Sequence, residues 1–190
     1  GAFGYCENLA VENVSLAKCT TLGSHVCRGC NGLTGNVELP LLTSIAERTF
    51  AECANLKGRV SIPKLTGFGN TTFGSSAISA IEMPLFETTN QGTGLSNCDN
   101  LRLVYFPSMS SCPSSVLRYC DNLTHVVFPA MTAMQANEGL AECPNLQTVV
   151  LGGETLTAKG KLFFKSFGNA ESPYIVWNYA TLPSFTVTDY

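Results

Sequence analysis

The stretch Phe50-Ala-Glu-Cys53-Ala-Asn55-Leu56, followed by Val60-Ser-Ile62-Pro63, decides the fold, because the chain repeats it about seven times. Cysteines mark the copies at Cys6, Cys30, Cys53, Cys98, Cys120 and Cys143, in steps of 24, 23, 45, 22 and 23 residues. The 45-residue step hides one copy without the cysteine, Phe73-Gly-Ser-Ser-Ala-Ile78, in which Ser75 or Ser76 takes the slot. A fixed period of this size marks a solenoid, in which each repeat stacks only on its neighbours and a continuous core runs along the stack.

Reading the copies in columns assigns most of the core. Three residues before the cysteine stand Phe3, Cys27, Phe50, Phe73, Leu95, Leu117 and Leu140; three after it stand Leu9, Leu33, Leu56, Ile78, Leu101, Leu123 and Leu146. A short alternating run follows, such as Leu123-Thr-His-Val126-Val-Phe128, which reads as a strand with one face buried. Leu39, Ile62, Met83, Phe106, Phe128 and Leu151 close these runs and should point inward. Proline comes next at Pro40, Pro63, Pro84, Pro107 and Pro129, where a residue without an amide donor fits a strand boundary. Two further apolar columns lie beyond it, the second interrupted by Thr89.

Nine cysteines in 190 residues suggest disulfides or a metal site. The columns argue otherwise: Cys19, Cys27 and Cys112 stand in columns otherwise filled largely by Leu, Ile, Phe or Met, the six slot cysteines recur in step with them, and all nine read as small buried hydrophobes. Cysteines stacked on parallel strands about 4.8 Å apart also point the same way, which is poor bridge geometry. Cys27-Arg-Gly-Cys30 matches a CxxC pair, but no second pair or histidine set completes a zinc site. Two residues past the cysteine run Asn8, Gly32, Asn55, Asn100, Asn122 and Asn145. Asn and Gly exchange where the backbone turns left-handed, and Asn can bond the turn of the next repeat, so this column is a structural ladder. Asp99 and Asp121 beside it are too few for a calcium site.

Charged residues make up 13% of the chain, the net charge is −3 and no Lys/Arg run exists, which argues against nucleic acid as a partner. No apolar run reaches the roughly 18 residues of a membrane span. Catalysis finds no foothold: the two histidines are His25 and His125, and no GxSxG, HExxH or phosphate loop occurs. No cofactor or metal is expected. Asn13, Asn70 and Asn122 head glycosylation-type triplets, the last inside the ladder and therefore accidental.

The outward column of the strands reads Ser15, Glu38, Ser61, Glu82, Tyr105, Val127 and Val150, polar and then apolar. With Arg102, His125 and Gln147 at neighbouring outward positions, Tyr105, Val127 and Val150 suggest an exposed contact strip. The plain alternatives are β-branched residues suited to strands, or a cap folded over them. The chain opens at Gly1 directly on repeat residues, so the expectation is a processed or trimmed chain whose array continues, or whose end is covered by another subunit, end to end or face to face. After Leu151 the pattern loosens. Tyr174-Ile-Val-Trp177 reads as the strand of a degraded repeat headed by Leu162–Ser166, and residues 184–190 as one more strand. Residues 1–151 thus form the repeats and 152–190 a degenerate repeat and cap, with Trp177 in packing.

The unit F-x-x-C-x-N-L, then V-x-[LF]-P-x-[LM], resembles the BspA-like class of leucine-rich repeats, most clearly at Phe50–Pro63, Leu95–Pro107 and Leu117–Pro129. The fourth copy lacks the cysteine and the first lacks the proline. The resemblance implies a β-rich, right-handed solenoid with a parallel sheet on the concave face and short strands or turns on the convex face. It also implies a secreted or surface-anchored bacterial protein, in some members an adhesin for host matrix proteins or cells. The expectation is a non-catalytic binding module for a protein or a glycan, the alternative a spacer without its own ligand. A solenoid enzyme would need clustered carboxylates on consecutive turns, and Ser61 separates Glu38 from Glu82.

Overall fold

A computed structural model describes residues 1–87, 93–112, 114–131 and 139–152, and the backbone of 174–177. Eight short strands stack in parallel and in sequence order into one sheet: β1 (Val14–Ser15), β3 (Val37–Glu38), β5 (Arg59–Ser61), β6 (Ala80–Glu82), β7 (Leu103–Tyr105), β8 (His125–Phe128), β9 (Thr148–Leu151) and β10 (Tyr174–Trp177). A two-stranded parallel sheet, β2 (Thr21–Leu22) with β4 (Ser44–Ile45), lies elsewhere on the coil. The architecture is a parallel-strand β-solenoid, and the described residues contain no helix. The register keeps equivalent residues side by side, for example Val37 with Val60, Val60 with Ile81, and Ile81 with Val104.

Three turns fold each repeat, each closed by an i→i+3 backbone bond. The first runs from the column before the cysteine to the cysteine, as in Cys30 N to Cys27 O at 3.2 Å and Ser76 N to Phe73 O at 3.0 Å. The second runs from cysteine to leucine, as in Leu56 N to Cys53 O at 3.2 Å. The third encloses the proline, as in Leu65 N to Ile62 O and Met109 N to Phe106 O, both 3.2 Å. Proline thus holds the second position of a turn, where its fixed φ is already correct. The cysteine-free copy uses Ser76 as its ladder residue, which leaves Ser75 in the position before it.

The core follows the columns: Leu39, Ile62, Met83, Phe106, Phe128 and Leu151 are all buried. Phe50, Phe73, Phe68, Phe86, Phe106 and Phe128 form a chain of ring contacts, with centroids 4.5–6.5 Å apart. The first repeat is the exception, with Phe3 48% and Leu16 42% exposed, because no described residue stacks on its outer side. Strand β10 pairs with β9 at Tyr174–Trp177, in line with the alternation there. Thr89, Met134, Leu156, Leu162–Ser166 and the strand expected at 184–190 lie outside the described residues, as does the side chain of Trp177.

Candidate functional site

Two ladders run across the turns, and both differ from the expectation. The cysteine column is hydrogen-bonded as well as packed. Cys30, Cys53, Cys98, Cys120 and Cys143 each donate Sγ–H to the carbonyl of the residue three before the slot in the preceding repeat: Phe3, Cys27, Phe73, Leu95 and Leu117, at 2.8–3.2 Å. Burial pushes the thiols of Cys53 and Cys98 up to about 12. Cys6 departs from the uniform burial expected of the nine: it is exposed, on the outer side of the first repeat where no described residue packs, while Cys19 and Cys27 are half-buried. All nine are free thiols.

The asparagine column is not left-handed. Positive φ occurs one residue before the cysteine slot, at Tyr5, Gly29, Glu52, Ser75, Asn97, Tyr119 and Glu142, with φ between 57° and 65°, and again five residues before it at His25, Arg48, Thr71 and Ser115. There the twist aims the amide along the solenoid axis: Glu52 N reaches Gly74 O, and Asn97 N reaches Arg118 O, both at 2.9 Å. Gly32 interchanges with Asn for a different reason, since a Cβ there would sit 2.5 Å from the Leu9 carbonyl. The asparagines reach back, not forward. Asn55, Asn122 and Asn145 donate Nδ2–H to the carbonyls of Asn31, Asp99 and Asp121 in the preceding repeat, at 2.7–2.9 Å. Asn8 and Asn100 occupy the same column on the surface.

A third ladder escaped the sequence reading. Asn13 Oδ1 accepts from Asn36 N, and Asn36 Oδ1 from Arg59 N, both at 2.9 Å. From the cysteine slot to the paired strand residue the chain runs longer in the first three repeats, ending at Val14, Val37 and Val60, than in the later ones, and that length difference is visible in the sequence.

The outward sheet face divides in two. Over β3, β5 and β6 it is open and polar, and Asn36, Glu38, Arg59, Ser61, Ala80 and Glu82 line a recess of about 250 Å³. Over β7 to β9 it is covered. Val127 and Val150 are 2% and 4% exposed and Leu103 is fully buried, so the expected exposed strip does not exist. An apolar column spaced about 4.8 Å apart is itself core material, and Ala80, Leu103 and Tyr105 form a second small cluster on this side of the sheet. Tyr105 stays half-buried. Arg102 and Gln147 are exposed, in the turn that precedes the strands; Thr124 stands between them, bonded through N to Arg102 O at 3.0 Å and through O to Gln147 N at 2.9 Å. His125 is on the strand, half-buried, with Nδ1 2.9 Å from Thr124 Oγ1; burial holds its pKa below the usual value. The expected group is therefore split: Arg102, Tyr105, His125 and Gln147 reach solvent to different degrees, and Val127 and Val150 do not.

With the repeating turns in place, the family comparison is specific. The profile of the BspA type Leucine rich repeat region matches in six copies, over residues 1–57 and 20–147. The chain belongs to that family. Neither the curated proteins nor the solved structures gave a match to it. BspA-type repeats are scaffolds that are generally non-catalytic, typically surface-associated, and used for protein interaction. No helix among the described residues is long and apolar enough to cross a membrane, and no group of three or more His, Cys, Asp or Glu among them could hold a metal ion. Asp99, beside the ladder, has its carboxyl raised by burial and then by the charge of Asp121.

Proposed function

We propose that this BspA-type repeat domain is a non-catalytic binding module of a secreted or surface-displayed bacterial protein, and that its partner is a protein held on the outward sheet face. The observation that carries this reading is the recess over β3, β5 and β6. Strand pairing fixes its backbone, so its side chains are presented at little further entropic cost. Glu38, Arg59 and Glu82 give it two carboxylates against one guanidinium, which suits a basic or hydroxyl-bearing side chain of a partner. Tyr105, in register with Glu82, and the exposed Arg102 extend the surface, with His125 and Gln147 at its far end. An aromatic and an arginine beside a polar rim is the composition from which contact energy is drawn.

The test is a binding array of immobilised matrix proteins and mucins, probed with the chain and with a Glu38→Ala/Arg59→Ala/Tyr105→Ala variant. Saturable binding weakened at least about tenfold in the folded variant is expected, since a few central residues carry most of an interface. Equal binding by both would move the site elsewhere. Absence of binding by either would leave the spacer reading.

A further inference from the structure

The second candidate site lies away from the sheet face, where the solenoid ladder opens for one repeat. Strand β4 is joined to the repeat before it by Thr43 N to Thr20 O at 3.0 Å and Ala46 N to Leu22 O at 2.9 Å. On its other side, no backbone bond among the described residues joins residues 43–45 to 66–69. The ladder resumes beyond, with Glu87 N donating to Thr66 O at 2.9 Å. The gap is a cleft of about 350 Å³ lined by Thr43, Ser44, Thr66, Gly67, Phe68 and Glu87, with Ile45 and Gly69 at its edges.

We infer that this cleft binds a neutral sugar, a mono- or disaccharide unit. Its volume lies at the small end of ligand pockets. Its walls offer both hydrogen-bond senses: hydroxyls of Ser44 and Thr66, carbonyls along the open edge of β4, and the amides of Gly67 and Phe68, which donate to no backbone carbonyl of the described residues. Thr43 Oγ1 already donates to Thr20 O at 3.2 Å, which leaves its lone pairs to accept. A sugar hydroxyl both donates and accepts, so it matches such a mixed lining.

Other ligand classes fit worse. Glu87 stands at the rim, in no salt bridge among the described residues, and opposes anions. The lining is too polar for a hydrocarbon. An extended peptide would add a strand to β4, but the two repeats close again at Gly69, where even a Cβ would meet Glu47 N at 2.6 Å. The pinch blocks a through-running chain and leaves room for a compact ligand.

The experiment is a titration followed by amide resonances of the ¹⁵N-labelled chain, with N-acetylglucosamine, galactose and N-acetyllactosamine as probes and glucuronate as the charged control. Expected are saturable shifts of Gly67, Phe68 and Gly69, half-saturating near about 1 mM with at least one neutral probe, since few-atom ligands bind weakly. Glucuronate should bind several-fold more weakly. Gly67→Leu, which adds bulk to the lining, should weaken binding at least about tenfold, and Thr66→Val, which removes one exposed hydroxyl and leaves the backbone alone, about two- to fivefold. The Glu38→Ala/Arg59→Ala/Tyr105→Ala variant should bind sugar unchanged, which separates this site from the sheet-face reading. No shift at Gly67–Gly69 with any probe up to about 50 mM, a concentration far above the expected range, overturns the inference. So do shifts that survive in both cleft variants.

Discussion

The thiol of Cys98 donates to the backbone carbonyl of Phe73, 3.1 Å away in the preceding repeat. The same contact recurs from Cys30 to Cys143, so the cysteine column is a row of bonds between repeats set within the core. Cys98→Ala loses that bond and the sulfur volume, and should cost about 1–2 kcal/mol in urea unfolding. Cys98→Ser should cost at least as much, about 1–3 kcal/mol, because a buried hydroxyl on a shorter bond reaches its acceptor poorly. Cys6→Ala, at an exposed position, should leave the midpoint unchanged.

The buried thiols make the fold sensitive to alkali. Cys53 and Cys98 titrate at about 12 in the folded chain, against an ordinary value of 9.0. Below pH 9 both states keep the proton and stability is flat. Above it the unfolded thiols ionise and the folded ones do not, so stability falls from pH 9 toward 12, by up to about 1.4 kcal/mol per pH unit for each such thiol. Urea midpoints between pH 8 and 11 measure the slope. At pH 8 an alkylating agent should modify Cys6 first, with Cys98 and Cys120 protected until unfolding.

The covered half of the sheet face should behave as core. Leu103→Ala should destabilise by about 2–4 kcal/mol and Val127→Asp by more than about 3 kcal/mol. Ser61→Asp, on the open half of the same face, should change stability by less than about 0.5 kcal/mol. Thermal unfolding of the three variants checks the contrast. A stable Val127→Asp protein would return that residue to the surface.

The asparagine ladder supplies its own control. Asn122 donates to Asp99 O at 2.7 Å, and Asn122→Ala should cost about 1 kcal/mol. Asn8, in the first repeat, has no preceding described repeat to reach, so Asn8→Ala should cost close to nothing. Denaturation curves of the two variants measure the difference.

The column of positive φ gives a gain of stability. Ser75 holds a φ of 58° with its side chain exposed. Ser75→Gly removes the Cβ penalty of that conformation and should raise stability by up to about 1 kcal/mol. A lowered midpoint would show that the serine side chain outweighs the backbone strain.

The sequence by itself determined the solenoid, its period, the inward columns and the corner prolines. These are local and periodic: each repeat needs the same apolar residues at the same offsets, so about seven copies state one rule. It also located the copy without cysteine, although only the Ser76 N to Phe73 O bond chose Ser76 over Ser75. Tertiary structure decided what depends on neighbours across the stack. Val127 and Val150 alternate as outward residues, yet their burial depends on what shields that side of the sheet, which period alone does not encode. The left-handed position lies at Glu52 and Tyr119, residues with no preference for it, because the ladder bond to the next repeat imposes it. The polar recess and the open cleft at Gly67 likewise become visible only when the repeats are laid against each other.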